Sequence, residues 1–469
     1  MYKYTQLLLS QPDGAQLGRN EKGAQMSYVD EVLQRVRKKD PDQPEFYQAV
    51  RECFDTVRPL VDANEKLYRE NAVLERFVEP ERLISFRVPW IDRNGAVQIN
   101  RGWRVQFNSA IGSYKGGIRL RSTVNESIIK FLGFEIVLKN ALTGLPMGGA
   151  KGGSDFDPKG KTDREVMNFC QSFVTELFKY VGSHMDCPAG DIGCGSREIN
   201  YMFGQYKRLT GLFDGSFSGK DPNFGGSLVR REAAGYGLGY MAEEMAEAYG
   251  KTIRGKTVVV TGSGNVAIYA VEKCQQLGAH VIAMCDSDGY IVDPDGIHLN
   301  IVKQIKEVQR GRIREYADLV PRTSYTPGPG IWNIPCDIYL PCATQNEISP
   351  ESAETLVRNG VFLIAEGANM PADLDTIHYF QNHGVLYMPD KAANAGGVSV
   401  SGLEQTQNAM RFSWTFEEVD ARLKIIMHDI FEKVSRTAAA YGMPNNYLAG
   451  ANLYAFQRVA AAMIAQGIV

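Results

Sequence analysis

The chain has 469 residues, 44% hydrophobic and 22% charged, with 51 Lys and Arg against 54 Asp and Glu. At roughly 100–200 residues per domain this predicts two or three domains, each able to bury a core. A net charge of −3 excludes a general polyanion binder, and the hydrophobic content excludes a disordered chain. Glycine is the unusual count, at 47. That is well above the usual share of about 7%, and some of these residues are expected where backbone approaches a ligand or takes positive φ.

The eight cysteines, at 53, 170, 187, 194, 274, 285, 336 and 342, form no Cys-x-x-Cys pair, and the six histidines form no His-x-x-x-His pair. No metal site is expected, and a disulfide framework is not, which points to a reducing compartment. Within Met1 to Gly14 the only apolar run is Leu7 to Leu9, too short for a signal-peptide core. No stretch approaches the roughly 20 apolar residues of a membrane span. A soluble, cytoplasmic protein is the expectation.

Residues 27 to 78 are charged and helical in pattern. Leu83 to Trp90, Ala96 to Asn100 and Trp103 to Asn108 read as strands, the first two separated by the turn residues Asp92 to Gly95. Gly112 to Gly153 is dense in Gly and Lys and holds one clear helix. Thr123 to Glu126 reads as its capping box, and Gly144 lies just past its end at Leu142. Asp221 to Ser227 is the best domain boundary. Beyond it, Thr257 to Thr261, His280 to Met284, Cys336 to Leu340, Val361 to Ile364 and Val385 to Met388 are short apolar strands. They alternate with helices, which implies βαβ units and a parallel sheet. From about Glu417 the pattern is helical to the end.

Thr257 to Ala267 reads as strand, then Gly262-x-Gly264-x-x-Ala267, then helix. The first glycine allows a tight turn, the second lets backbone reach a pyrophosphate, and the small third residue lets helix and strand pack. The helix N-terminus presents unpaired N–H groups to the phosphates. A glycine turn in an ordinary α/β unit would explain the string alone. The strand before it, the helix after it and Asp286 closing the next strand favour a dinucleotide. Asp286 by itself suits the ribose hydroxyl of NAD. Against that, Ser287 and a basic helix carrying Lys303, Lys306, Arg310 and Arg312 suit a 2′-phosphate, so the residues leave the choice open.

Over residues 101–161 ten cationic side chains face four acids, an excess of +6 inside a chain of −3. So small a basic region suggests a small anionic ligand. Lys115 stands in GSYKGGIRL, Lys139 on the capped helix, and Lys151 in GGAKGG. Burial beside other cations lowers a lysine pKa toward neutrality, as catalysis by an amine requires. The segment Cys187 to Gly195 places Asp191 among small residues, where it is either a turn cap or a proton carrier for Lys151.

In order, GSYKGGIRL, FLGFEIVLKNALTGLPMGGAKGG, PAGDIG, GGSLVR, VVVTGSGNVA, PCATQNE, AEGANMP and KAANAGGVSVSGLE resemble motifs of the hexameric glutamate dehydrogenases, from about residue 30 to the end. The resemblance implies an α/β fold. Residues 1–224 would form a substrate and oligomerisation domain, completed by 445–469, and 225–444 a Rossmann-like domain. It implies reversible reductive amination of 2-oxoglutarate with ammonium to L-glutamate, in a homohexamer. By motif position, Lys151 is the catalytic lysine and Asp191 the proton-transfer acid. Lys139 meets the substrate α-carboxylate, Lys115 and Ser401 hold the distal carboxylate, and the Gly190 backbone contacts substrate. Gly262, Ser263, Gly264, Asn265, Val266, Asp286, Ser287, Lys306 and Asn369 fall at cofactor positions. The Asp-Ser pair and Lys306 are similar to NADP-type members, so NADP is expected, with NAD possible. Four positions depart from the pattern. Ile136 replaces a Gln that binds the α-carboxylate, and Ala234 replaces a Thr that contacts the cofactor. Arg231 follows Arg230 where Thr or Pro is common, and Ala150 replaces a glycine. They leave a dehydrogenase for another 2-oxo acid, or a cofactor-binding pseudoenzyme, as the alternative expectations.

Overall fold

The computed structural model describes residues 26–469; the reading of Met1 to Gly14 lies outside them. The chain divides into two compact units. One runs to Ser227 and takes back 401–414 and 452–469; the other comprises 228–400 and 415–451. The sequence reading places a single return, at 445–469. The structure adds an earlier one at Ser401, inside the helix Gly396–Met410, and starts the later one at Asn452, inside the helix Tyr447–Gln466.

The first unit is built on a five-stranded sheet of β1 (Arg82–Ile91), β2 (Val97–Asn108), β3 (Tyr114–Leu120), β4 (Gly149–Ser154) and β5 (Asp186–Gly190), in the order β1-β2-β4-β3-β5. β1, β2 and β4 pair antiparallel, whereas β3 runs parallel to both β4 and β5. The two strands expected within 96–108 are one. The glycine-rich segments around Lys115, Lys151 and Cys187, to which the sequence reading assigns no strand, are the strands β3, β4 and β5. Trp90, Ile118 and Leu120 pack with Val166, Phe169 and Phe173 of the helix Asp163–Leu177 and with Ile199, Met202 and Phe203 of Ser196–Thr210. Asp163–Leu177 starts on a capping box, Thr162 with Glu165. The helix Glu126–Leu142 packs on the sheet through Phe134, whose ring lies 5.9 Å from that of Phe107. It starts from Asn125, whose side chain accepts from Ile128 N at 2.9 Å. The expected Thr123 cap is therefore displaced by a nearer residue with a stronger capping oxygen.

The second unit holds seven strands in the order β12-β11-β10-β6-β7-β8-β9: β6 (Thr257–Val260), β7 (His280–Cys285), β8 (Gly289–Val292), β9 (Ser324–Pro327), β10 (Ile338–Leu340), β11 (Leu363–Ala365) and β12 (Leu386–Met388). From β12 to β7 neighbouring strands are parallel; β8 and β9 add an antiparallel edge. The strand order reverses at β6, the switch point at which doubly wound sheets bind ligands. Val258, Val259 and Val260 are buried, the apolar run expected of a parallel strand covered on both faces. Among the described residues no helix is long and apolar enough to cross a membrane.

Candidate active site

In the first unit the register of β3, β4 and β5 brings the lysines and the acid together. Lys151 on β4 is 6% exposed, and its Nζ lies 3.1 Å from Asp191 Oδ2, just past the end of β5. Arg119 of β3 donates through Nε to the same oxygen at 2.8 Å. Gly117 makes this approach possible: a Cβ there would stand 2.7 Å from Gly190 O and 2.9 Å from Asp191 Cβ. Burial pulls the Lys151 amine down to about 8; Arg119 and Lys139 add to the fall and Asp191 opposes it. Burial pushes the Asp191 carboxyl up, but the cations Lys151 and Arg119 outweigh it and hold it well below the usual carboxylate range.

Lys115 is fully buried, donating to Ser218 Oγ at 2.7 Å and to Cys187 O at 3.1 Å. Lys139 is half-buried on the helix Glu126–Leu142, and Ile136 lies one turn earlier. Asn140 beside it clamps the two glycine strands, donating to Lys115 O and to Gly148 O. Ser401 is 1% exposed, and its Oγ finds no partner among the described residues. An unmade hydrogen bond of that kind costs about 1–3 kcal/mol, so its retention points to a ligand. One turn along, Glu404 accepts from Lys220 Nζ at 2.8 Å and from Gly219 N at 2.8 Å, an ion pair with both side chains 1% exposed. Sequence reasoning saw Arg119 only as one cation among ten. It missed Ser218, Asn140 and the Lys220–Glu404 pair, whose partners lie far apart in the chain.

In the second unit Gly262 has φ +84°, and a Cβ there would meet Ala343 backbone at 3.1 Å. A Cβ on Gly264 would meet nothing within 4 Å. The first glycine therefore serves the turn, and the second leaves space above the N-terminus of the helix Asn265–Gln276, where a pyrophosphate fits. Ser263 is buried and Asn265 exposed. Asn265 Nδ2 donates to Arg231 O at 2.6 Å. Asn369 is exposed, and its Oδ1 accepts from Asn394 Nδ2 at 3.1 Å. The same loop lies against Val266: a Cβ on Gly367 would stand 3.2 Å from Val266 Cγ1.

At the end of β7, Asp286 accepts from Ile313 N at 2.9 Å and Asp288 N at 3.0 Å, and Lys306 lies 3.6 Å away. Burial favours a raised pKa, but these backbone donors and Lys306 hold the carboxyl below its usual range. Arg312 donates to Ser287 Oγ at 3.0 Å. Lys306 sits in a π-turn, Gln304–Val308, a distortion frequent at functional sites. The expected continuous basic helix is not formed. Lys303 is tied to Glu272 at 2.7 Å, Arg310 takes φ +56°, and only Lys306 and Arg312 reach Asp286 and Ser287. This donor set fits a nucleotide with a ribose phosphate: two cations and a hydroxyl are present, and the charge of the nearby acid is turned toward two backbone N–H groups and Lys306.

A doubly wound sheet with a glycine turn at its switch point, in one chain with a unit that buries paired lysines, defines a nicotinamide-dependent oxidoreductase. The sequence pattern of the Glutamate/Leucine/Phenylalanine/Valine dehydrogenases matches residues 225–467, and that of the Glu/Leu/Phe/Val dehydrogenase dimerisation domain matches 80–208. The chain is 54% identical to the NADP-specific glutamate dehydrogenase of Helicobacter pylori, over 94% of this chain and 100% of that one. It is 51% identical to the NAD(P)-specific glutamate dehydrogenase of Xylanibacter ruminicola, over 93% and 99%. The crystal structure of Plasmodium falciparum glutamate dehydrogenase superposes with a TM-score of 0.92 at 47% identity, over 94% of this chain and 95% of that one. The chain belongs to the Glu/Leu/Phe/Val dehydrogenase family.

Proposed function

We infer that the protein is a glutamate dehydrogenase that interconverts 2-oxoglutarate, ammonium and NADPH with L-glutamate and NADP. The observation that carries the mechanism is the buried Lys151–Asp191 pair, with the amine drawn down to about 8. Lys151 in its free-amine form assists addition of ammonia at C2 and loss of water, and Asp191 carries the proton. The nicotinamide, when bound, supplies or accepts hydride at that carbon. A dicarboxylate needs a donor at each end. Lys139 serves the α-carboxylate, while Lys115, with Ser401 and its orphaned hydroxyl, serves the distal one. Each charge-assisted contact contributes about 1.5–3 kcal/mol. The Gly190 backbone lines the substrate site.

In the second unit Gly262, Ser263, Gly264, Asn265 and Val266 cradle the pyrophosphate. Asp286, Ser287 and Lys306 take the adenosine ribose and its phosphate, and Asn369 contacts the cofactor from its own loop. Residues up to about 227 with the two returning segments are the substrate unit, and the remainder is the dinucleotide unit. The chain assembles as a homohexamer, a reading supported by the dimerisation-domain match. It works in the cytoplasm, consistent with eight free cysteines.

Rates on 2-oxoglutarate and on a 2-oxo acid of equal length without the distal carboxylate test the substrate assignment. The expected kcat/KM ratio is at least tenfold in favour of 2-oxoglutarate, one lost charged contact. Equal rates would remove Lys115 and Ser401 from substrate recognition.

A further inference from the structure

Arg119 contacts the Lys151–Asp191 pair directly. Its Nε and the Lys151 Nζ share one oxygen, Asp191 Oδ2, at 2.8 and 3.1 Å, and none of the three side chains is more than 17% exposed. The strand is shaped for this contact. Gly117, two residues earlier, leaves Asp191 the room a Cβ would fill, and Gly153 leaves Arg119's own carbonyl room on the other side, where a Cβ would approach to 2.7 Å. An arginine held so closely between two strands is not a solvated surface cation.

We propose that Arg119 is a positioning residue for the proton transfer. It orients Asp191 toward Lys151 and shares the carboxylate's charge, so that the Lys151 amine is released as a free base. The inference rests on reading Lys151 and Asp191 as the proton-transfer pair. The other groups facing the pair leave this role to Arg119. Lys139, from the helix Glu126–Leu142, acts on Lys151 in the same sense, whereas Arg119 donates directly to the Asp191 oxygen that Lys151 meets. Cys194 offers Asp191 a backbone carbonyl and a thiol that burial pushes up and so keeps neutral. Lys115 is committed to Ser218 and Cys187 O. Without Arg119 the full charge of Asp191 falls on Lys151, which then binds its proton more tightly.

The test is the pH profile of kcat/KM for glutamate oxidation in the full-length enzyme and in its R119Q and R119K variants. NADPH binding is followed by fluorescence, and folding by thermal unfolding. In R119Q the rising limb moves up by about one pH unit or more, so turnover near pH 7.5 falls about tenfold while NADPH still binds. R119K keeps the charge and keeps the limb within about half a unit of the parent enzyme, with a lower kcat. An unmoved limb in folded R119Q overturns the proposal, whatever activity is lost. So does a limb displaced by a unit in R119K, which decides the matter alone if R119Q does not fold. A parent enzyme with no glutamate turnover would instead strike the reading on which the proposal rests.

Discussion

Lys151 is a cation that its own surroundings make easy to discharge. Burial and neighbouring cations bring its amine to about 8, from an ordinary value of 10.5. The sign of the pH effect follows. Below about 8 the amine is protonated and cannot act as a base; above it the free amine predominates. We therefore expect kcat/KM for glutamate oxidation to climb about tenfold per pH unit below 8 and to level above it. Lys151→Ala should abolish this limb with the turnover and leave NADPH binding intact. A flat profile through pH 8, or near-normal turnover in that variant, contradicts the role. Both members of this pair were legible in the sequence because glycines flank them. Arg119 was not, because nothing in GSYKGGIRL shows which cation faces the acid. Contact across β3 and β5 decides it.

At the scale of elements, the central strands of the first sheet were the hardest to read. β3, β4 and β5 carry seven glycines or prolines among 18 residues and no polar–apolar alternation. Glycine has poor strand propensity, and strands buried on both faces lose the alternating signal. They form because helices cover them and because only glycine admits such close backbone approach. β6, with three buried valines, was legible for the opposite reason. The helix bearing Ser401 is tied to the segment after β5 by the Lys220–Glu404 pair. Lys220→Met leaves Glu404 buried and unpaired, so it should cost about 3–5 kcal/mol. The double variant Lys220→Met/Glu404→Leu should recover most of that. Denaturant unfolding checks both. A single variant as stable as the parent protein would mean that solvent reaches Glu404.

At the scale of the whole molecule, the turn residues of Asp221 to Ser227 suggest a boundary, and the chain's first compact unit runs to Ser227, but nothing in the sequence marks the re-entry at 401–414. The segment starts inside the helix Gly396–Met410, so no break in the helical pattern marks the crossing at Ser401. The four departures Ile136, Ala150, Arg231 and Ala234 leave the family unchanged: identity to the Helicobacter pylori enzyme remains 54% over 94% of the chain. The cofactor choice that Asp286, Ser287 and the basic residues left open in the sequence turns on the surroundings of Asp286, the Ile313 and Asp288 N–H groups with Lys306, and Arg312 at Ser287. The most direct measurement is therefore the initial rate of 2-oxoglutarate and ammonium with NADPH and with NADH, side by side. The structure predicts turnover with a clear preference for NADPH, and a large preference for NADH, or no turnover with either nucleotide, would contradict it.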